Sequence, residues 1–84
     1  METIDLSRVE IESIDGKEIT IDVAKELAQV IFANTQSIAE HSFSVELYRN
    51  PVVELTDENK AIIEGYIEKY FKAYIKIAIK KMMV

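Results

Sequence analysis

The sequence predicts an α+β domain: a small antiparallel sheet packed on two or three helices, with a long C-terminal helix. Three observations support this fold class. Two runs of alternating apolar and polar residues, 8–13 and 18–21, flank an Asp-Gly pair. Apolar residues then recur at helical spacing through 22–35. The third observation is a second pattern of helical spacing, which follows Thr56 and continues to about Lys81. The last helix is therefore expected to span roughly 25 residues.

Length and composition limit the class of protein. The chain has 84 residues, enough for one small domain over 1–84, and its 49% hydrophobic content is too high for a disordered segment. The absence of cysteine excludes disulfides, thiol catalysis and cysteine-bearing zinc sites. The N-terminus lacks the apolar region of a signal peptide, and no apolar run is long enough to cross a membrane. We therefore expect a cytoplasmic protein.

The first two strands are expected to form a hairpin whose register follows from side-chain parity. A two-residue turn at Asp15 and Gly16 would mix apolar and acidic residues on both faces. A three-residue loop over 14–16 instead places the four β-branched residues on one face, with Val9 opposite Ile21 and Ile11 opposite Ile19. Gly16 then occupies the left-handed position of a bulge. The face Val9, Ile11, Ile19 and Ile21 should pack on the helices, and Glu10, Glu12 and Glu18 should face water.

The next segments are a helix, an ambiguous stretch and a short strand. Asp22 can cap a helix that ends near Thr35 and carries one stripe, apolar except for its last member, formed by Val23, Leu27, Val30, Ile31 and Asn34. Residues 38–50 alternate like a strand at Phe43, Val45 and Leu47, yet Ser37 and Glu40 have the spacing of a capping box. The helix, ending near Arg49, is the preferred interpretation. A turn at Pro51 and a short strand over 52–55 should follow.

The last helix predicts an oligomer interface. Its main apolar arc comprises Ile62, Ile63, Tyr66, Ile67, Tyr70, Tyr74 and Ile77. Further apolar side chains widen that arc beyond half the cylinder, although a surface helix in a small domain needs little more than 100°. We therefore expect this surplus to meet a second copy, most simply in a twofold dimer. The predicted interface residues are Phe71, Ile75, Ile79 and Met82.

The charge distribution gives a second candidate surface. The net charge is −5, but residues 1–58 carry thirteen acidic and four basic side chains, whereas 59–84 carry two acidic and six basic ones. Lysines at helical spacing form a candidate contact for an anion or nucleic acid, namely Lys69, Lys72, Lys76 and Lys80. The acidic total counts against a nucleic-acid module. Complementation of the helix dipole is the preferred explanation for the charge asymmetry.

No residues indicate catalysis, a cofactor or a metal. His41 is the only histidine, and its neighbours in sequence do not supply the geometry of a Ser/His/acid site. Gly16 and Gly65 are the only glycines, too few for a glycine-rich phosphate loop. Glutamates on a strand face lack the enclosing oxygen ligands of a calcium loop. The sequence predicts that the protein is not an enzyme.

Three segments together resemble small uncharacterised proteins carried by prophages and other mobile elements of gut anaerobes. These segments are Ile14–Lys17, Asp22–Ala28 and Tyr48–Leu55. The resemblance implies a phage-type structural or accessory protein and brings no functional residues with it. The leading prediction is a non-enzymatic, self-associating assembly or adaptor protein. The alternative is a nucleic-acid-binding accessory protein that uses its basic C-terminal helix.

Overall fold

The computed structural model describes residues 2–84 and has the α+β architecture that the sequence predicts, with four helices and two small antiparallel sheets. The strands are β1 (Thr3–Asp5), β2 (Val9–Glu12), β3 (Glu18–Ile21) and β4 (Val52–Glu54). The helices are α1 (Ala24–Asn34), α2 (Ile38–Arg49), α3 (Asp57–Tyr70) and α4 (Ala73–Met82). Among residues 2–84, no helix combines the length and apolar character needed to span a membrane.

The β2–β3 pair has the residue pairs that side-chain parity predicts, with Val9 opposite Ile21 and Ile11 opposite Ile19. Its loop is closed by the Gly16 N–H, which donates to the Ser13 carbonyl at 2.9 Å, and Gly16 has a φ of 85°. The predicted apolar face is only half covered. Val9 and Ile11 are buried, whereas Ile19 remains 49% exposed, because α4 packs against β2 and leaves β3 outside.

The first strand of the chain is β1, which pairs with β4 in a sheet separate from β2 and β3. Ile4 lies opposite Val53, and both side chains are buried. The Asp5 carboxylate accepts hydrogen bonds from the N–H and hydroxyl of Ser7, and this turn separates β1 from β2. The turn explains why Ile4 and Leu6 are out of phase with the apolar residues of β2.

Helices α1 and α2 form an antiparallel pair joined by the short connection 35–37. Asp22 accepts a hydrogen bond from the Ala24 N–H at the start of α1. The Ser37 hydroxyl accepts one from the Glu40 N–H, so 38–49 is a helix and the strand alternative is wrong. Glu40 also accepts hydrogen bonds from Thr35 and from Tyr66 of α3, which ties both helices to the third.

The long C-terminal helix is a wrong prediction, because the chain extends at Phe71 and Lys72 and divides the segment into α3 and α4. Phe71 has φ −112° and ψ 154°, and Lys72 has φ −74° and ψ 156°. The break allows α4 to pack against β2, whereas a straight helix would leave part of its wide apolar arc in water. Burial of Phe71 at the break is the physical reason for this change of direction.

Candidate functional site

The side chains predicted to form an oligomer interface lie mostly inside the molecule. Phe71 and Ile75 are each 8% exposed and Ile79 is fully buried, all three in the core of a single chain, while Met82 is half-buried. The surplus inferred from the sequence is therefore covered by the chain's own β2 and α3. These three residues cannot form a free surface in this fold, and the interface prediction is corrected on that point.

A different set of apolar side chains on α4 is exposed. Tyr74 is 47% exposed and Ile77 is 57% exposed, although both belonged to the arc expected to face the core. The two extended residues between α3 and α4 reset the helical phase, so the buried face changes from one helix to the next. No sequence signal marks that reset, since Tyr70 to Tyr74 contains neither proline nor glycine.

These side chains border a groove of ≈ 350 Å³ between α4 and the β2–β3 pair. Its lining includes Ile11, Tyr74, Ile77, Ala78 and Met82. Ile19, which pairs with Ile11 across the two strands, is half exposed on the strand side. We call Ile19, Tyr74 and Ile77 the α4 patch.

The groove carries charges of both signs. The strand pair contributes Glu10, Glu12 and Glu18, whereas Arg8 and Lys81 are basic. Glu12 lies directly opposite Glu18, and like charges at such a cross-strand position repel each other. Within the described residues the side-chain ion pairs are the two made by Glu68, so neither Glu12 nor Glu18 is in a salt bridge.

The four lysines predicted to contact an anion are divided among three parts of the chain. Lys69 lies in α3, Lys72 lies at the break, and Lys76 and Lys80 lie in α4. Lys76 and Lys80 both donate to the Glu68 carboxylate, which lowers the pKa of Glu68 below its ordinary value. The hydrogen bond between Lys80 and Glu68 raises the pKa of the Lys80 ammonium. Because two of the four charges are paired within the chain, nothing here favours nucleic-acid binding, which stays a prediction.

His41 lies at the contact between α1 and α2, and no metal-binding cluster is found in the described part of the chain. The His41 ring lies 5.0 Å from the ring of Phe32, in a tilted contact between α2 and α1. Across residues 2–84, no three histidine or carboxylate side chains are grouped so that they could hold a metal ion. The absence of catalysis and of cofactors remains a prediction from the sequence.

Comparison with known proteins finds no significant match among family models, curated proteins or solved structures. The resemblance to mobile-element proteins therefore stays a prediction.

Proposed function

We propose that the protein is a non-enzymatic, self-associating assembly or adaptor module that forms a twofold dimer through the α4 patch. The observation that carries this proposal is the combination of exposed apolar side chains with a rim of both charges. An apolar surface bordered by polar residues is typical of a protein–protein contact. The proposal keeps the self-association predicted from the sequence and moves it to residues that are exposed.

The charge arrangement supports a second copy as the partner. A twofold interface must be complementary to itself, because the same surface is present on both subunits. Here Lys81 and the Glu12–Glu18 pair border one groove. In a twofold arrangement Lys81 of each copy can approach Glu12 and Glu18 of the other copy. Tyr74 and Ile77 are then buried between the α4 helices of the two copies. The contact would bring a cation to two like charges that form no salt bridge among the described residues of one chain.

Ile77→Glu is the variant that tests the proposed dimer. It places a negative charge in the apolar patch beside three glutamates, so we expect the dimer to be lost. Because Ile77 is 57% exposed, the variant should keep its fold, which circular dichroism checks. Sedimentation velocity over about 1–100 µM, where many specific dimers dissociate, should show a concentration-dependent dimer for the unmodified chain and a monomer for the variant.

Ile38→Glu is the matched control, since Ile38 is 85% exposed at the start of α2 and lies outside the groove. It introduces the same side chain and charge without touching the α4 patch, so the dimer should persist. An unmodified chain that stays monomeric over the whole range would contradict the proposal. Equal dissociation of both variants would show that added negative charge, and not the patch, controls association.

A further inference from the structure

A second groove lies between α1 and α2, away from the α4 patch. It has a volume of ≈ 360 Å³, and its floor includes Ala28 and Ser44, which are both buried. The Ser44 hydroxyl donates to the His41 carbonyl, so its hydrogen-bonding need is met within α2. Phe32 and Tyr48 border the groove, and each is about half exposed. The groove is therefore apolar, open and large enough to take an aliphatic side chain.

The charges at this groove are all positive. Arg49 lines it, and no acidic residue does. The Lys25 ammonium lies 5.5 Å from the centroid of the Tyr48 ring, which places a second cation at the same end. An apolar groove with two cations at one end fits an aliphatic side chain that has carboxylates beside it.

The loop between β2 and β3 presents such a side chain. Ile14 is fully exposed at its tip, and Ile38 and Val84 are the other aliphatic side chains of residues 2–84 that are more than 80% exposed. The loop is held in one conformation by hydrogen bonds between Ser13 and Lys17 and between Gly16 and Ser13. Ile14 is consequently presented on a preorganised turn, which lowers the entropy cost of inserting it elsewhere.

Acidic residues surround this tip. The segment 12–18 contains Glu12, Asp15 and Glu18 against the single cation Lys17. Asp15 accepts hydrogen bonds from the Ser13 hydroxyl and the Lys17 N–H, which hold the pKa of its carboxyl below the ordinary value. The tip therefore stays negatively charged at neutral pH, and it complements the two cations at the α1–α2 groove.

We propose that the α1–α2 groove binds the β2–β3 tip of another copy of this chain, with Ile14 inserted between Phe32 and Tyr48. The acidic residues of the tip then lie near Lys25 and Arg49. The two surfaces are different parts of the chain, so the contact is heterologous and can repeat from copy to copy. The tip lies beside the α4 patch, since Ile14 and Tyr74 line one pocket, and Glu12 and Glu18 also border the groove of the proposed dimer. The test therefore has to be made with the dimer removed.

The contact is weak in isolation because it inserts one side chain and pairs a few exposed charges. A dissociation constant of about 1 mM is expected, so the experiment requires NMR concentrations. All variants carry Ile77→Glu, which removes the α4 patch and separates this test from that of the proposed dimer. Ile14→Ser disables the tip, and Tyr48→Glu disables the groove with a charge that repels the tip.

The decisive experiment titrates ¹⁵N-labelled protein carrying Ile14→Ser, whose groove is intact, with unlabelled protein carrying Tyr48→Glu, whose tip is intact. We expect amide shifts confined to α1 and α2 around Lys25, Phe32 and Tyr48, weakening as salt is raised. The control titrant carries both Ile14→Ser and Tyr48→Glu and should cause no shifts. Absence of shifts at about 1 mM titrant would overturn the proposal. Equal shifts with the control would also overturn it, since some other part of the neighbouring copy would then occupy the groove.

Discussion

Two isoleucines of α4, Ile77 and Ile79, should lose very different amounts of stability when each is replaced by alanine. Ile79 is fully buried, and an isoleucine-to-alanine change in a core costs about 2–5 kcal/mol through lost burial and the cavity left behind. Ile77 is 57% exposed, so less than half of its burial energy is at stake and no cavity forms. Alanine also has the higher helix propensity. We therefore expect Ile77→Ala to cost below about 1 kcal/mol.

Urea unfolding followed by circular dichroism measures this difference. The protein concentration should be low enough that no dimer forms. With a urea dependence of about 1–1.5 kcal/mol per molar for a chain of this size, Ile79→Ala should lower the midpoint by about 1.3–5 M. Ile77→Ala should leave the midpoint nearly unchanged. Equal losses would contradict the difference in burial between the two side chains. A larger loss at Ile77 would show that α4 presents the opposite face to β2. The α4 patch would then be the core, and the assignment of its surface would be refuted.

Three further predictions concern the loop, a hydrogen bond and an ion pair. Gly16→Val should destabilise the fold by about 1–2 kcal/mol and Gly16→Asn by less, as urea midpoints would show, because a side chain there meets no neighbour and only the positive φ is costly. Equal losses would contradict this explanation. Tyr66→Phe removes the hydrogen bond to Glu40 and should cost about 1 kcal/mol in the same assay; no loss would contradict a stabilising bond. The stabilisation by Glu68 should be complete above its unfolded-state pKa and disappear as pH falls through the lowered folded-state pKa, because its carboxylate must be ionised to bind Lys80 and Lys76. Thermal melts as a function of pH should therefore show a weaker acid-side loss for Glu68→Gln, and an unchanged loss would contradict this assignment.

The parts of the fold that sequence reasoning anticipated are local. The pairs across β2 and β3 follow from the alternation of side chains and from one glycine that can adopt a positive φ. The start of α2 follows from the spacing of Ser37 and Glu40, and the start of α3 from Thr56, whose hydroxyl accepts from the Asn59 N–H. In each case the determining contacts lie within a few residues of one another.

The parts that sequence reasoning missed depend on contacts distant in sequence. β1 has three residues, too few to show a period. The short strand expected over 52–55 is present as β4, but its pairing with β1, with Thr3 opposite Glu54, was not anticipated. The break at Phe71 lies among residues that are all compatible with a helix. Tertiary packing overrides their propensity there, because the break buries Phe71 and brings α4 onto β2.

The error in the candidate site follows directly from the missed break. A continuous helix keeps one phase, which assigns Tyr74 and Ile77 to the core and Ile75 and Ile79 to the surface. The extended residues reverse this assignment within α4. An apolar arc on a helix can be wider than one small sheet can cover. Such an arc is therefore compatible with two explanations: an oligomer, or a break that lets the second half of the helix pack on the same domain.

Isoleucine-methyl NMR over a dilution series tests the central proposal most directly, because it reports on association residue by residue. If the protein associates through the α4 patch, the methyl signals of Ile77 and Ile19 should shift with concentration in the micromolar range. The methyl signals of the buried Ile79 should stay nearly constant. The opposite pattern would contradict the account, as would signals that are all independent of concentration.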